Sequence, residues 1–398
     1  PHSIPLISVT GTNGKTTTAR LIAHTLSLEG RQVGLASTDG IYIGGICVNA
    51  GDNTGPISAD VVLSDPAVEI AVLETARGGL VRKGLGYTEA DVAVVTNISE
   101  DHLGCDGIMT LDELSNVKSL VAETVSPKGH AVLNADDERV RAMAAKCPGQ
   151  IIYFSLAAEE NQEFLRHLAA GGKGVMVQGR EIVLAQGSKG EELLSLDSIP
   201  ITLGGAALYN VSNCLAAAAA LWAMGLSSEA IRAGLRDFNM GHNPGRANLY
   251  DLGLFQVLID YGHNKAGYSS ALAMMTALKP LRKVGVIGVP GDRRNADILA
   301  VGKLCAQHLD FIYIKEDQDL RGRRRGEVAN LLRQGIASAG TKISVKTIYS
   351  ETSALAAALA SAREGDLIAV FYEKLAPLQA LLQEEQKKTP KQDFATTR

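Results

Sequence analysis

The stretch Gly11-Thr12-Asn13-Gly14-Lys15-Thr16-Thr17-Thr18 decides how this chain is read. An apolar, β-rich run from Ile4 to Val9 leads into it, and a helical pattern, Ala19-Arg20-Leu21-Ile22-Ala23-His24-Thr25-Leu26, leads out. A strand, a glycine-rich turn and a helix start gather backbone N–H groups and the positive helix end around one point. That suits an anion, above all a nucleotide's phosphates. Lys15 can reach the terminal phosphates, and the Thr16 hydroxyl can bind Mg²⁺. The turn is shorter than the usual P-loop, so a plain strand-to-helix turn is the bland alternative. Strand, lysine and threonine together favour an ATP site.

Outward from this turn, short β-rich runs alternate with helical ones as far as Ser155. Strands are expected at Ile7–Thr10, Val33–Ser37, Ile70–Glu74, Val92–Asn97, Ala131–Asn134 and Ile151–Phe154. Their near-continuous apolar character predicts a mostly parallel sheet buried on both faces by helices. Such sheets bind ligands at the carboxyl ends of their strands. Residues 172–206 read as a small antiparallel addition: a hairpin around Gln178-Gly179-Arg180 and a short strand near Ile199–Leu203. Helices are predicted from Leu208 to Met224 and from Ser228 to about Phe238. His242-Asn243-Pro244-Gly245 breaks the pattern and marks a domain boundary. Beyond it, strands at Phe255–Asp260, Lys283–Val289, Phe311–Lys315 and Leu367–Phe371 describe a second, smaller α/β domain. The expected division is 1–243, 244–385 and a polar tail at 386–398, with disorder from about Gln383 onward past the last helix.

Composition narrows the class. At 398 residues two domains are the natural prior. A net charge of -4 argues against general nucleic-acid or membrane binding. Cys47, Cys105, Cys147, Cys214 and Cys305 lack metal-ligand spacing and read as reduced, mostly buried thiols of a cytoplasmic protein. The run Leu215 to Met224 is too short to span a membrane. The chain opens on Pro1, which leaves open that it is part of something longer.

Two further stretches carry chemistry. Glu74, in Leu73-Glu74-Thr75-Ala76-Arg77-Gly78-Gly79, ends a buried strand in the P-loop's own sheet. A carboxylate there is costly unless a cation meets it, which makes Glu74 a Mg²⁺ candidate; the alternative is an ion pair with Arg77 or Arg82. Thr96-Asn97-Ile98-Ser99-Glu100-Asp101-His102 gathers carboxylates, an amide and an imidazole just after another strand, a setting for metal or phosphate work.

In order along the chain, GTNGKTTT, LETARGG, TNISEDHLG, YNVSNCLAA, NPGR and DYGHN resemble the Mur ligase superfamily, which includes peptidoglycan amino-acid ligases and folylpolyglutamate synthases. STDGIYIGG, GDNTGPISA, VLNADD, GVPGDRR and IKEDQDLRGRRRGE resemble more narrowly the Mur-ligase-like part of one branch, the cyanophycin synthetases. The likeness runs from about Ile4 to Leu382. It implies a central P-loop ATPase domain and a C-terminal Rossmann-like α/β domain. It also implies ATP and Mg²⁺ as cofactors, with Gly11, Thr12, Asn13, Gly14, Lys15, Thr16 and Thr17 around the phosphates. Thr16 and Glu74 would hold one Mg²⁺. His102 would help hold a second, together with Lys118, which matches a lysine that many Mur ligases carbamylate; a solvated helix lysine is the alternative. Asn213 matches the adenine-reading asparagine, Arg246 an arginine that reaches the nucleotide, and Asp260 the acid beside it, while His263 and Asn264 complete DYGHN.

The reaction implied is ATP-dependent amide, here isopeptide, formation through an acyl phosphate. Its amine would be L-arginine and its acceptor the aspartate side-chain carboxyl of a cyanophycin-type polymer. Asp292, Asp297, Glu316 and Asp317 are candidate partners for the guanidinium. A different amino acid on another carboxylate acceptor, or a non-catalytic ATP-binding scaffold, are the competing readings. The expected partners are small molecules or a polymer, with no nucleic acid and no membrane, and with a homo-oligomer possible.

Overall fold

The structure, a computed structural model, describes residues 4–101 and 103–388. The chain divides into two compact units between Asn243 and Pro244. The first begins with β1 (Leu6–Thr10), α1 (Lys15–Leu28), β2 (Val33–Ser37), β3 (Gly40–Ile43) and β4 (Ile46–Ala50). It continues through α2 (Pro56–Ser64), β5 (Ile70–Glu74), α3 (Arg77–Lys83), β6 (Ala90–Val95), α4 (Leu111–Glu123), β7 (Val125–Asn134) and α5 (Glu138–Ala142). β8 (Gln150–Ser155), α6 (Gln162–Ala169), β9 (Lys173–Gln178), β10 (Glu181–Gln186), β11 (Lys189–Ser195), α7 (Leu208–Ala223) and α8 (Ser228–Asp237) complete it.

These strands form one eleven-stranded sheet in the order β11-β10-β9-β8-β7-β6-β1-β5-β2-β3-β4. From β9 across to β2 every neighbour is parallel, and an antiparallel pair closes each edge. Successive side chains of β6 serve opposite faces, as a pleated strand requires. Val92 and Val94 join one core with Leu21, Ile22, Leu215 and Ala216 to Ala220, whereas Ala93 and Val95 join another with Val121 and Leu133. The alanine run explains the helix packing: short side chains let α7 lie close on the sheet without voids.

The second unit has β12 (Asn248–Asp251), β13 (Gln256–Asp260), α9 (Lys265–Ala277), β14 (Arg282–Ile287), α10 (Asn295–His308) and β15 (Phe311–Ile314). Then follow α11 (Glu327–Ser338), β16 (Ser344–Thr347), α12 (Glu351–Ala360), β17 (Asp366–Phe371) and α13 (Leu375–Lys388). Its six-stranded sheet runs β12-β13-β17-β14-β15-β16 and is parallel except for the β12–β13 hairpin. Both units are α/β, with the mostly parallel sheet expected for the P-loop domain.

Three expectations need correction. Residues 199–203 are not a strand: 3-10 turns occupy Leu196–Ser198 and Pro200–Thr202, and Pro200 has no N–H to give a ladder. The true third strand of that region is β11. Residues 383–388 are helical, as the end of α13, while the expected tail beyond them lies outside the described residues. The cysteines are all free, but only Cys214 and Cys305 are buried.

Candidate active site

Gly11 and Gly14 take φ of 142° and 86°, which β-carbon-bearing residues rarely adopt. A Cβ on Gly11 would strike Thr96 Oγ1, and one on Gly14 would strike Asn213 Oδ1. The loop between them is pinned from β6's end. The Thr12 N–H donates to Asn97 O at 2.8 Å, the Asn13 N–H to Asn97 Oδ1 at 3.0 Å, and Thr96 Oγ1 to Asn13 O at 2.6 Å. The turn is therefore held by the protein's own hydrogen bonds. Lys15 begins α1, and its Nζ donates to Thr12 O at 2.9 Å.

Glu74, 2% exposed at the end of β5, is the carboxylate of this cradle. It accepts from Thr16 Oγ1 at 3.2 Å, from the Thr38 N–H at 3.0 Å and from Thr38 Oγ1 at 2.8 Å. Arg77 and Arg82 both turn instead to Asp106, which removes the ion-pair alternative. Thr16 Oγ1, Thr38 Oγ1 and a Glu74 oxygen are hard donors converging on one point, a set that fits Mg²⁺. Thr38 was not singled out from the sequence; its place just past the carboxyl end of β2, beside Asp39, is the signal that could have found it.

Lys118 is no solvated lysine. It is 3% exposed on α4 and its Nζ donates to Gly11 O at 2.7 Å. Burial first, then the Lys15 ammonium, hold its amine well below the ordinary lysine range. The helix is aimed by a capping box in which Thr110 and Glu113 cap each other's backbone. His102 lies outside the described residues. Ser99, next in the same loop, has a buried Oγ with no hydrogen-bond partner among the described residues, a second residue given no role from the sequence.

Asn213, on α7, stands beside the P-loop, with its Oδ1 3.5 Å from Thr18 Oγ1 and its Nδ2 donating to Asn210 Oδ1. Thr17 Oγ1 exchanges contacts with Asn243 at 3.2–3.4 Å, and Arg20 reaches both Asn243 and Asp39. Thus Gly11 to Thr18, Glu74, Lys118 and Asn213 share one place.

The remaining candidates lie in the second unit. The Arg246 guanidinium sits 4.1 Å over the Tyr261 ring. Asp260, ending β13, accepts from the Ala247 and Gly262 N–H groups at 2.9 and 2.8 Å. Burial pushes its carboxyl up, opposed by the Ala247 N–H and the Arg246 charge. His263 Nδ1 is 3.1 Å from Tyr261 O, and Asn264 caps α9. The carboxylates weighed for a guanidinium are engaged within this unit. Asp317 binds Lys315, Glu316 caps the start of α11, Asp297 pairs with Arg294, and Asp292 pairs with Arg293 and Arg321.

A nucleotide-phosphate turn at the carboxyl edge of a parallel sheet, followed by a second α/β unit, defines a class. The Mur ligase middle domain profile matches residues 9–221, and the profile of the Mur ligase, glutamate ligase domain matches 245–371. The chain belongs to the Mur ligase family. It is 44% identical over 390 residues to cyanophycin synthetase from Nostoc sp. PCC 7120, covering 96% of this chain but 43% of that protein. The chain thus spans less than half the length of that relative. A UDP-N-acetylmuramoyl-L-alanyl-D-glutamate–2,6-diaminopimelate ligase from Geobacillus kaustophilus is 29% identical, over 93% of this chain and 73% of its own. FolC from E. coli, solved with ADP, matches with a TM-score of 0.69 at 21% identity, over 96% of this chain and 90% of that one. No helix among the described residues is long and apolar enough to cross a membrane.

Proposed function

We propose that this chain is an ATP-dependent amide ligase whose amine is arginine and whose acceptor is an aspartate side-chain carboxylate of a cyanophycin-type polymer. The observation that carries the reading is the preformed cradle in which Lys15, Thr16 and Glu74 surround the P-loop. Family membership, the 44% identity to a cyanophycin synthetase and the ADP in the FolC structure support it. Residues 1–243 would be the ATP-binding domain and 244–385 the Mur ligase C-terminal domain.

The acceptor carboxylate attacks the γ-phosphorus of ATP, forming an acyl phosphate and releasing ADP. The neutral amine of arginine then attacks the acyl carbon, phosphate leaves with the bond electrons, and the amine gives up a proton to leave an amide. Lys15 and the backbone N–H groups of Gly11 to Thr17 would neutralise phosphate charge and hold it in line. Thr16, Thr38 and Glu74 would hold Mg²⁺, which supplies charge neutralisation on the phosphates. Lys118, buried and with its amine's proton affinity lowered, would take up CO₂ and release a proton to become a carbamate; with His102 it would serve a second Mg²⁺. Asn213, Arg246 and Asp260 are proposed for the nucleotide and His263 for the reacting groups.

The test is phosphate release from ATP with a poly-aspartate or β-aspartyl-arginine acceptor and each common amino acid in turn. Acceptor-dependent release with arginine, at least about tenfold below it with lysine, and none in Lys15→Ala, is expected, because a planar fork and a point charge need different partners. Release with another amino acid but not arginine overturns the substrate assignment; normal release from folded Lys15→Ala overturns the site.

A further inference from the structure

A second cluster of donors, His24, Asp237 and His242, lies further along α1 from the P-loop. Thr17, Arg20 and His24 follow one another at helical spacing along one face of α1. All three meet the segment that ends the first unit: Thr17 and Arg20 contact Asn243, and His24 Nε2 lies 2.8 Å from Asp237 Oδ2. His242 completes the group, its ring centroid 4.2 Å from that of His24. Phe238, fully buried, floors the site, 5.5 Å from the His24 ring and 5.8 Å from the His242 ring. The His242 ring is further fixed by the Asn239 N–H, 3.3 Å from its Nδ1.

One ring nitrogen from each histidine and one Asp237 oxygen all lie within 4.8 Å of one another. Bonds of about 2.0–2.2 Å to a tetrahedral ion hold ligand atoms roughly 3.3–3.6 Å apart. Reaching that spacing asks the exposed Asp237 and His242 side chains to turn inward. Burial, then the neighbouring His242, lowers the His24 imidazole below its ordinary value, against the opposing pull of Asp237, and it is the neutral ring that binds metal. Two imidazoles and one carboxylate suit a zinc-type ion and not Mg²⁺, which demands oxygen.

We propose that His24, Asp237 and His242 form a binding site for a zinc-type divalent ion, with water in its fourth position. This ion would be independent of the nucleotide's Mg²⁺. It would clamp the helix that starts at the P-loop to the turn Asn239 to Asn243, which runs up to the unit boundary.

The tag-free full chain is titrated with Co²⁺, and separately with Zn²⁺, in a large excess of Mg²⁺. One equivalent of Co²⁺ should bind with the d–d bands of a low-coordinate imidazole site, and Zn²⁺ should displace it. Loss even of a residue that only supports a ligand costs about 10–100-fold in metal affinity. His24→Gln, Asp237→Asn and His242→Gln should therefore each weaken binding at least about tenfold, while Lys15→Ala leaves it unchanged. Zn²⁺ should also raise the thermal midpoint of the wild type and not of His242→Gln. Asp237 and His242 are exposed, so their variants test the site without opening the core. Co²⁺ binding of wild-type strength in both folded variants, or no stoichiometric binding to the wild type, overturns the proposal.

Discussion

Glu74 shows how one buried carboxylate sorts several readings. Among the described residues its oxygens face three donors, Thr16 Oγ1, Thr38 Oγ1 and the Thr38 N–H, and no arginine. Removing one oxygen's charge while keeping its shape isolates the metal role. In Glu74→Gln an amide N–H₂ replaces one acceptor, leaving a donor against a donor at a cost of about 1–3 kcal/mol. The Mg²⁺ concentration giving half-maximal phosphate release should rise at least about tenfold. It is measured at fixed ATP in protein whose fold is checked by circular dichroism; an unchanged Mg²⁺ curve removes Glu74 from the metal. Gly11, Lys15, Thr16 and Glu74 could be picked from the residues because the first turn fixes where strand ends converge, whereas Lys118 and Asn213, on helices, were reached only through the family resemblance. Thr38 and Ser99 could not, since a lone hydroxyl after a strand is common and only three-dimensional convergence makes it a ligand candidate.

At the scale of elements, most of what the sequence hid has one physical cause. β3, β4, β11, β12 and β16 went unrecognised, and all but β3 are the outer strands of the two sheets. An edge strand is covered on fewer sides, so its residues need not be apolar. β4 is exposed throughout, and β11 opens with four exposed residues in Lys189-Gly190-Glu191-Glu192. The buried strands β1, β2 and β5 announced themselves by continuous apolar runs. The reverse error, a strand at 199–203, came from apolar residues buried in turns. Helix α4 carries the prediction at this scale. It delivers Lys118 into a dry place where the amine's depressed proton affinity makes the unfolded chain the better proton binder. Between that depressed value and the ordinary value of 10.5, ν in the unfolded state exceeds ν in the folded state, so stability rises with pH. Lys118→Met should flatten that rise and be more stable than the wild type at neutral pH, read from urea midpoints across a pH series. Its activity should be lost and partly restored by short carboxylates that replace a carbamate. A wild-type pH slope in the variant would mean that Lys118 is not the group responsible.

For the whole molecule, the two units have separate cores: the clusters around α1, α4 and α7 belong to the first, and the one around β13, β17 and α12 to the second. Chains built this way depart from a single two-state transition. One residue makes the two separable. Trp222 is the chain's single tryptophan; it lies on α7, packs against the first unit's core and has the Lys173 ammonium 4.8 Å over its ring. Its fluorescence follows the first unit, whereas far-ultraviolet circular dichroism follows both. A ligand that binds only folded protein stabilises it by RT ln(1 + [L]/Kd), about 2.7 kcal/mol at a hundredfold excess over Kd. If the cradle of Lys15, Thr16 and Glu74 is the nucleotide site, a non-hydrolysable ATP analogue with Mg²⁺ should raise the tryptophan-detected midpoint. The shift should vanish in Lys15→Ala, which leaves the core around Trp222 untouched. A tryptophan midpoint that ignores the nucleotide, while the circular dichroism midpoint responds, would move the site off the P-loop. A shift that survives in Lys15→Ala would take the lysine out of nucleotide binding.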